Sequence, residues 1–227
     1  MGFKSACIIA GDCPYGYLGT LPKHDPARAD HVIKRLGYPK PSKRQPDFLE
    51  PYPDSGSYII GAYEHAVFLA DQDVIYECFE NREHTFFKSA LSLYPEGKLL
   101  MLVLHSVVNY FGYAYYENGQ LVREYAGGAE QGLISEFGQI QPEEQTSFAN
   151  SEIKNGVRIF RVEVNGATEE CEVDLVGETL VFEIARKFFG QTFDEAMFQS
   201  EDENGLNTEL FFKDTSVLNR LKSLFRP

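Results

Sequence analysis

Apolar positions along this chain fall into short solid runs and alternating stretches more often than into long helical stripes. Phe3 to Ala10 is an apolar run closed by Gly11-Asp12 and predicts a buried strand. Ser57–Tyr63 and Ala66–Ala70 predict two more strands, and Val74–Phe79 a possible third. Leu99–Leu104 is uniformly apolar, the pattern of a central strand covered on both faces. Val107–Tyr116 is rich in aromatic and β-branched residues and meets Leu121–Ala126 across Asn118-Gly119, a strong hairpin signal. A second hairpin is predicted between Arg158–Val164 and Thr168–Leu175 across Asn165-Gly166. In its second arm Cys171, Val173 and Leu175 alternate with acidic residues.

Helical spacing is rarer. Asp25-Pro26 reads as an N-cap with proline in the first turn, opening a short helix to about Leu36 that stops at Gly37. Phe86, Phe87, Ala90, Leu91 and Tyr94 carry a second stripe, closed by Pro95. A third helix is expected from about Glu178 to Phe189 with Gly190 after it, and a fourth over Thr215–Phe225. Between Pro14 and Pro53 lie eight of the eleven prolines, so the chain from Gly37 to Asp54 is expected to be a long surface loop.

Hairpins mixed with a few helices predict an α+β fold: a mostly antiparallel mixed sheet with three to four helices packed on it. Residues 141–156 are polar enough for a weak boundary. The piece after them would struggle to bury its own faces, so one domain over 1–227 is expected.

Composition narrows the function classes. Aromatic residues make up 14% of the 227, as 18 Phe and 13 Tyr without Trp, which suits a β-rich core and excludes disorder and coiled coil. The net charge is −13. Residues 1–50 hold eight Lys or Arg against five Asp or Glu, so the acidity lies in the remainder. That acidity argues against nucleic acid and anionic membrane as partners. The basic cluster Lys34, Arg35, Lys40, Lys43 and Arg44 is expected to be a solvated part of the proline-rich loop. No apolar run approaches a membrane span. The opening residues lack a signal-peptide core, and Ala6 stands where a myristoylation start wants Ser or Thr. Four cysteines without zinc or framework spacing fit reduced thiols and a cytoplasmic protein.

Motifs for chemistry are mostly missing. The glycine-rich segment Gly11–Thr20 follows a strand, but Tyr17 and Leu18 follow Gly16 where a phosphate loop needs Lys and Ser or Thr. The five histidines form no HxxxH or HxH pair, and no metal or cofactor is expected. One constellation remains. Asp12 and Cys13 follow the first strand, and His105 and Ser106 follow the run Leu99–Leu104. If those strands are parallel neighbours, the four residues converge at one sheet edge, where open sheets bind ligands. Asp12, His105 and Ser106 are then the candidate catalytic groups, and Asp12, Cys13 and His105 the candidate ligand-binding ones. The alternative is that His105 and Ser106 merely end a strand.

The opening Met1–Lys4 and the block Val103-Leu104-His105-Ser106-Val107-Val108-Asn109-Tyr110-Phe111 resemble a bacterial family of uncharacterised conserved domains. Glu117–Arg123 and Gly132–Gly138 are similar to it too, so the resemblance spans residues 1–12 and 99–143. It implies a bacterial cytoplasmic domain and assigns no activity. Two functions follow as expectations. The first is a non-enzymatic binding module for a basic protein or a small ligand, steered by charge. The second is a small hydrolase-like enzyme using Asp12 and His105.

Overall fold

The computed structural model of this chain describes residues 2–164, 166–201 and 205–214. Strand β1 (Lys4–Gly11) leads into helix α1 (Pro26–Leu36), strands β2 (Lys43–Phe48), β3 (Ser57–Ala62) and β4 (Ala66–Ala70), and helices α2 (Gln72–Glu80) and α3 (Thr85–Leu91). Strands β5 (Lys98–His105), β6 (Tyr110–Glu117), β7 (Gln120–Gly128) and β8 (Gly132–Gly138) form a meander. Then come α4 (Gln145–Ala149), β9 (Ser151–Lys154), β10 (Val157–Val164), β11 (Ala167–Cys171), α5 (Val173–Ile184), α6 (Arg186–Phe189), α7 (Phe193–Glu201) and β12 (Asn207–Phe212).

Nine strands make one sheet in the order β2-β12-β3-β4-β1-β5-β6-β7-β8, every neighbour antiparallel. β9, β10 and β11 form a smaller sheet. The fold is α+β, as the pattern predicts, with more helices than three or four. Both faces of the large sheet are covered, which is why β1 and β5 read as unbroken apolar runs. Cys7, Ile9, Leu100, Leu102 and Leu104 face one core with α5, α6 and α7. Ala6, Ile8, Ala10, Leu99, Met101 and Val103 face the other with α1, α2 and α3.

Local chemistry sets several boundaries. Asp25 accepts from the N–H groups of Ala27 and Arg28 at 2.9 and 3.2 Å, and Gly37 closes α1 at φ 79°. Asn118 and Gly119, at φ 50° and 73°, make the left-handed pair that a two-residue hairpin requires.

Elsewhere the structure departs from the pattern. Val74–Phe79 lies in α2, not in a strand. Asp71 caps that helix, accepting from the Asp73 N–H at 3.0 Å, and Ile75, Cys78 and Phe79 are buried at helical spacing. Six residues are too few to separate the two periods. The expected loop to Asp54 contains β2, whose Pro46 is tolerated because the strand lies at the sheet edge. Residues 106–108 form a 3-10 turn, and β6 starts only at Tyr110. The arm Thr168–Leu175 ends as a strand at Cys171, and α5 starts at Val173. Within the polar stretch 141–156, Glu144 and Phe148 are buried. The helix expected over Thr215–Phe225 lies outside the described residues.

Candidate functional site

The four residues singled out by sequence do not converge. β1 and β5 are neighbours, as the expectation required, but they are antiparallel, with Gly11 opposite Lys98 and Lys4 opposite His105. Asp12 and His105 therefore sit at opposite ends of the strand pair, eight residues or roughly 26 Å apart at about 3.3 Å per residue. Two uniformly apolar runs look the same in either direction, so the pattern could not settle the sense of pairing.

At the far end Asp12 meets a different imidazole. The Nδ1 of His65 is 3.4 Å from its Oδ1, with both side chains largely in solvent. Cys13 is buried, and that burial pushes its thiol up, away from the thiolate a nucleophile needs. The glycines of the adjoining segment serve close packing. A Cβ on Gly19 would lie 2.0 Å from the Phe189 carbonyl oxygen, and Gly16 stacks on Gly190 at φ 73°. At the near end the Ser106 hydroxyl donates to the Phe3 carbonyl at 2.7 Å, and the Ser106 N–H to the same oxygen at 3.0 Å. Ser106 is thereby committed to tying down the first strand. The His105 Nδ1 is buried without a hydrogen-bond partner among the described residues.

That same end opens onto a large cavity. The chain after β2 runs back beside the start of β1, where its Pro51 carbonyl accepts the Ala6 N–H at 2.9 Å. Between this stretch, the start of β1, α5 and α7 lies a space of about 830 Å³, within the range of ligand sites. Phe3, Phe48, Leu49, Tyr52, Phe182, Met197 and Phe198 line it. Phe3 packs edge-on against Phe182 with ring centroids 5.0 Å apart, which fixes the apolar floor.

Four carboxylates, from Asp47, Glu50, Glu178 and Asp194, share the lining with a single cation, Lys4. Lys4 sits over the Tyr52 ring at 5.4 Å. The Oδ1 of Asp194 is buried with no hydrogen-bond partner among the described residues. A second space of about 520 Å³ shares Asp47, Glu50 and Tyr52 with the first and adds Asp54. A third, of about 310 Å³, shares Glu178 and Phe182 and adds Asp174 and Ser106. The three form an acidic, aromatic trough across one end of the sheet.

Of the residues picked from sequence only Ser106 touches it. Asp47, Glu178 and Asp194 come from three distant segments, and only the overall acidity of the chain hinted at them. Among the described residues no group of three or more His, Cys, Asp or Glu side chains is arranged to hold a metal ion.

A family model covers residues 4–159, a stretch reaching from β1 into β10. The chain belongs to this family, which is described as a family of unknown function (DUF6928). No curated protein and no solved structure matches it. The family stretch includes the proline-rich segment and β2, which lie outside the resemblance seen in sequence. It stops before α5 and α7, so one wall of the trough belongs to the family and the other lies beyond its match.

Proposed function

We propose that this protein is a non-enzymatic binding module whose trough takes a basic, partly apolar segment of a partner protein. The observation that carries the reading is the composition of this cavity of about 830 Å³: aromatic floor, four carboxylates and one cation. A cationic side chain entering it would lie among the carboxylates of Asp47, Glu50, Glu178 and Asp194 in a partly desolvated setting, where charge-assisted hydrogen bonds are strongest. The net charge of −13 steers such a partner inward and disfavours nucleic acid and anionic lipid. Among the described residues no helix is long and apolar enough to cross a membrane. Four free cysteines suit the reducing bacterial cytoplasm, where we place the protein. The separation of Asp12 from His105 leaves the hydrolase reading without an observation in its favour.

The test is calorimetric titration with a ten-residue peptide rich in Arg and Leu, and with spermidine as a small cation. The peptide is expected to bind wild type, to weaken as salt rises, and to bind about tenfold more weakly to an Asp194→Asn, Glu178→Gln variant, a change of about 1.4 kcal/mol. Binding of spermidine alone would shift the assignment to a small polyamine ligand. No heat from either probe, or equal affinity in wild type and variant, would remove the trough as a cation site.

A further inference from the structure

Residues 215–227, which lie outside the described residues, contain Arg220, Lys222 and Arg226 and no Asp or Glu. Their charge is +3, against −16 for the remaining 214 residues. Val217, Leu218, Leu221, Leu224 and Phe225 fall on one face at helical spacing. A basic segment with an apolar face is the chemistry that the acidic, aromatic trough complements. The described chain also leaves the sheet beside that trough. Leu210 on β12 is level with Cys7 on β1, through Ile59 and Ala70 on the strands between. Leu210 and Phe212 line the space of about 520 Å³, and on its rim the Lys213 N–H donates to the Gly56 carbonyl at 2.8 Å. Asp214 therefore lies at the same end of the sheet as Lys4, on a strand three places from β1. At about 4.8 Å per strand that separation is roughly 14 Å. The thirteen residues 215–227 span about 20 Å as a helix. Extended, they span about 43 Å, so the segment reaches the Phe3 floor in either form.

We propose that residues 215–227 dock in the trough of their own molecule, as a resident occupant that a partner's basic segment must displace. The inference rests on the trough being a site for basic, partly apolar segments, and it names what regulates that site. The cations of the segment balance the carboxylates gathered there, four of them beside the single cation Lys4 in the space of about 830 Å³. Its apolar face covers the aromatic floor. Tethering holds the segment at an effective concentration in the millimolar range. A second copy offering the same segment has to approach against two net charges of −13. A segment whose free form binds at about 0.1 mM is then docked in about 90% of molecules, and a partner's affinity is cut about tenfold.

Calorimetric titration of the Arg- and Leu-rich peptide into the full chain and into its Leu221→Ser, Leu224→Ser variant tests the proposal. The variant keeps the net charge, and so the steering, while losing the apolar face. It is expected to bind the peptide about tenfold more tightly than wild type. A nitroxide on Ser223→Cys locates the segment directly. The four native cysteines are buried, so the new thiol takes the label. The nitroxide is expected to broaden the amide signals of Phe3, Tyr52 and Phe182 and to spare Asn118 and Gly119, at the opposite end of the sheet. Equal peptide affinity in the two proteins, with Asp194→Asn, Glu178→Gln weakening both, would overturn the docking and leave the trough as a partner site. No binding of the peptide to either protein would remove the site and this inference with it. Trough signals that the nitroxide leaves sharp would also overturn the docking. So would signals that sharpen when unlabelled chain is added in excess, since the segment would then belong to a second copy.

Discussion

Arg123 and Glu144 are both fully buried, and the way they satisfy one another explains how a polar stretch of the sequence is held against the sheet. The Arg123 Nε lies 3.0 and 3.1 Å from the two Glu144 oxygens, and its Nη2 donates to Oε1 at 2.9 Å. Nη1 donates to the carbonyls of Phe137 and Gly138, the Tyr113 hydroxyl donates to Glu144, and the Gln141 N–H reaches Oε2 at 2.7 Å. Burial, followed by the Glu144 charge, pushes the Tyr113 hydroxyl well above the ordinary phenol range, so it stays the donor. In sequence Glu144 is one acid among polar neighbours. In the structure it latches residues 141–144 onto β7. Removing either charge alone strands the other in the core, so Arg123→Met and Glu144→Met should each cost about 3–5 kcal/mol of unfolding free energy. The double variant should cost clearly less than the sum. Urea denaturation of all four proteins measures the coupling, and additive losses would mean that the pair is not a unit.

Elements were legible where a local signal sufficed. The caps of α1, the Asn118-Gly119 hairpin and the solid runs of β1 and β5 all depend on neighbouring residues. β12 was missed because only Leu210–Phe212 of Asn207–Phe212 are apolar, too short a run to read as a strand, and β2 because charges and proline are tolerated only at a sheet edge, which sequence does not reveal. The start of α5 was misplaced because Val173 and Leu175 continue the alternation of β11; Leu175 is in fact 65% exposed on the helix. Gly177 shows why α5 lies where it does. A Cβ there would fall 2.0 Å from Cδ1 of the buried Phe111 ring on β6, so the helix rests almost directly on the aromatic face of the sheet. Helix propensity alone would make Gly177→Ala stabilising by about 0.5–1 kcal/mol. The collision reverses the sign, and a loss of about 1–3 kcal/mol is expected from overpacking. Because Glu178 and Phe182 line the trough from the same helix, the substitution should also weaken peptide binding there. A higher melting temperature would show that α5 has room to spare.

At the scale of the whole molecule, the candidate site was the least legible feature, because it depends on strand order. The trough joins residues 47–52, the first strand and helices near residue 190, and no local pattern carries that information. The sheet has the same property: β12, the last described strand, is inserted between β2 and β3, two of the earliest. Its end is pinned by Lys213, whose Nζ lies 2.8 Å from both Asp71 and Asp73. Asp71 is fully buried and also accepts the Tyr38 hydroxyl at 2.7 Å, while Tyr38 stacks on Tyr58 at 4.0 Å. Burial raises the Asp71 pKa, and Lys213 and Tyr38 offset only part of the rise. An acid whose folded pKa lies above its unfolded value of 3.8 favours folding at pH values below 3.8, and that contribution is lost as pH climbs through the folded pKa. Lys213→Met removes the main counter-charge, raises the Asp71 pKa further and extends that loss. Asp73 is half shielded and, against its own burial, is held below the ordinary range by Lys213, the Gly56 N–H and Ser55. Its contribution is present above the unfolded pKa and lost in acid, so losing Lys213 costs most at neutral pH there as well. The deficit of Lys213→Met should therefore be about 3 kcal/mol near pH 7.5 and should shrink as pH falls, first as Asp71 protonates and then, below 3.8, as Asp73 does. Urea denaturation of wild type and variant at several pH values reads the difference directly. A deficit that stays constant with pH would assign the role of Lys213 to packing and not to the closure of the sheet by charge.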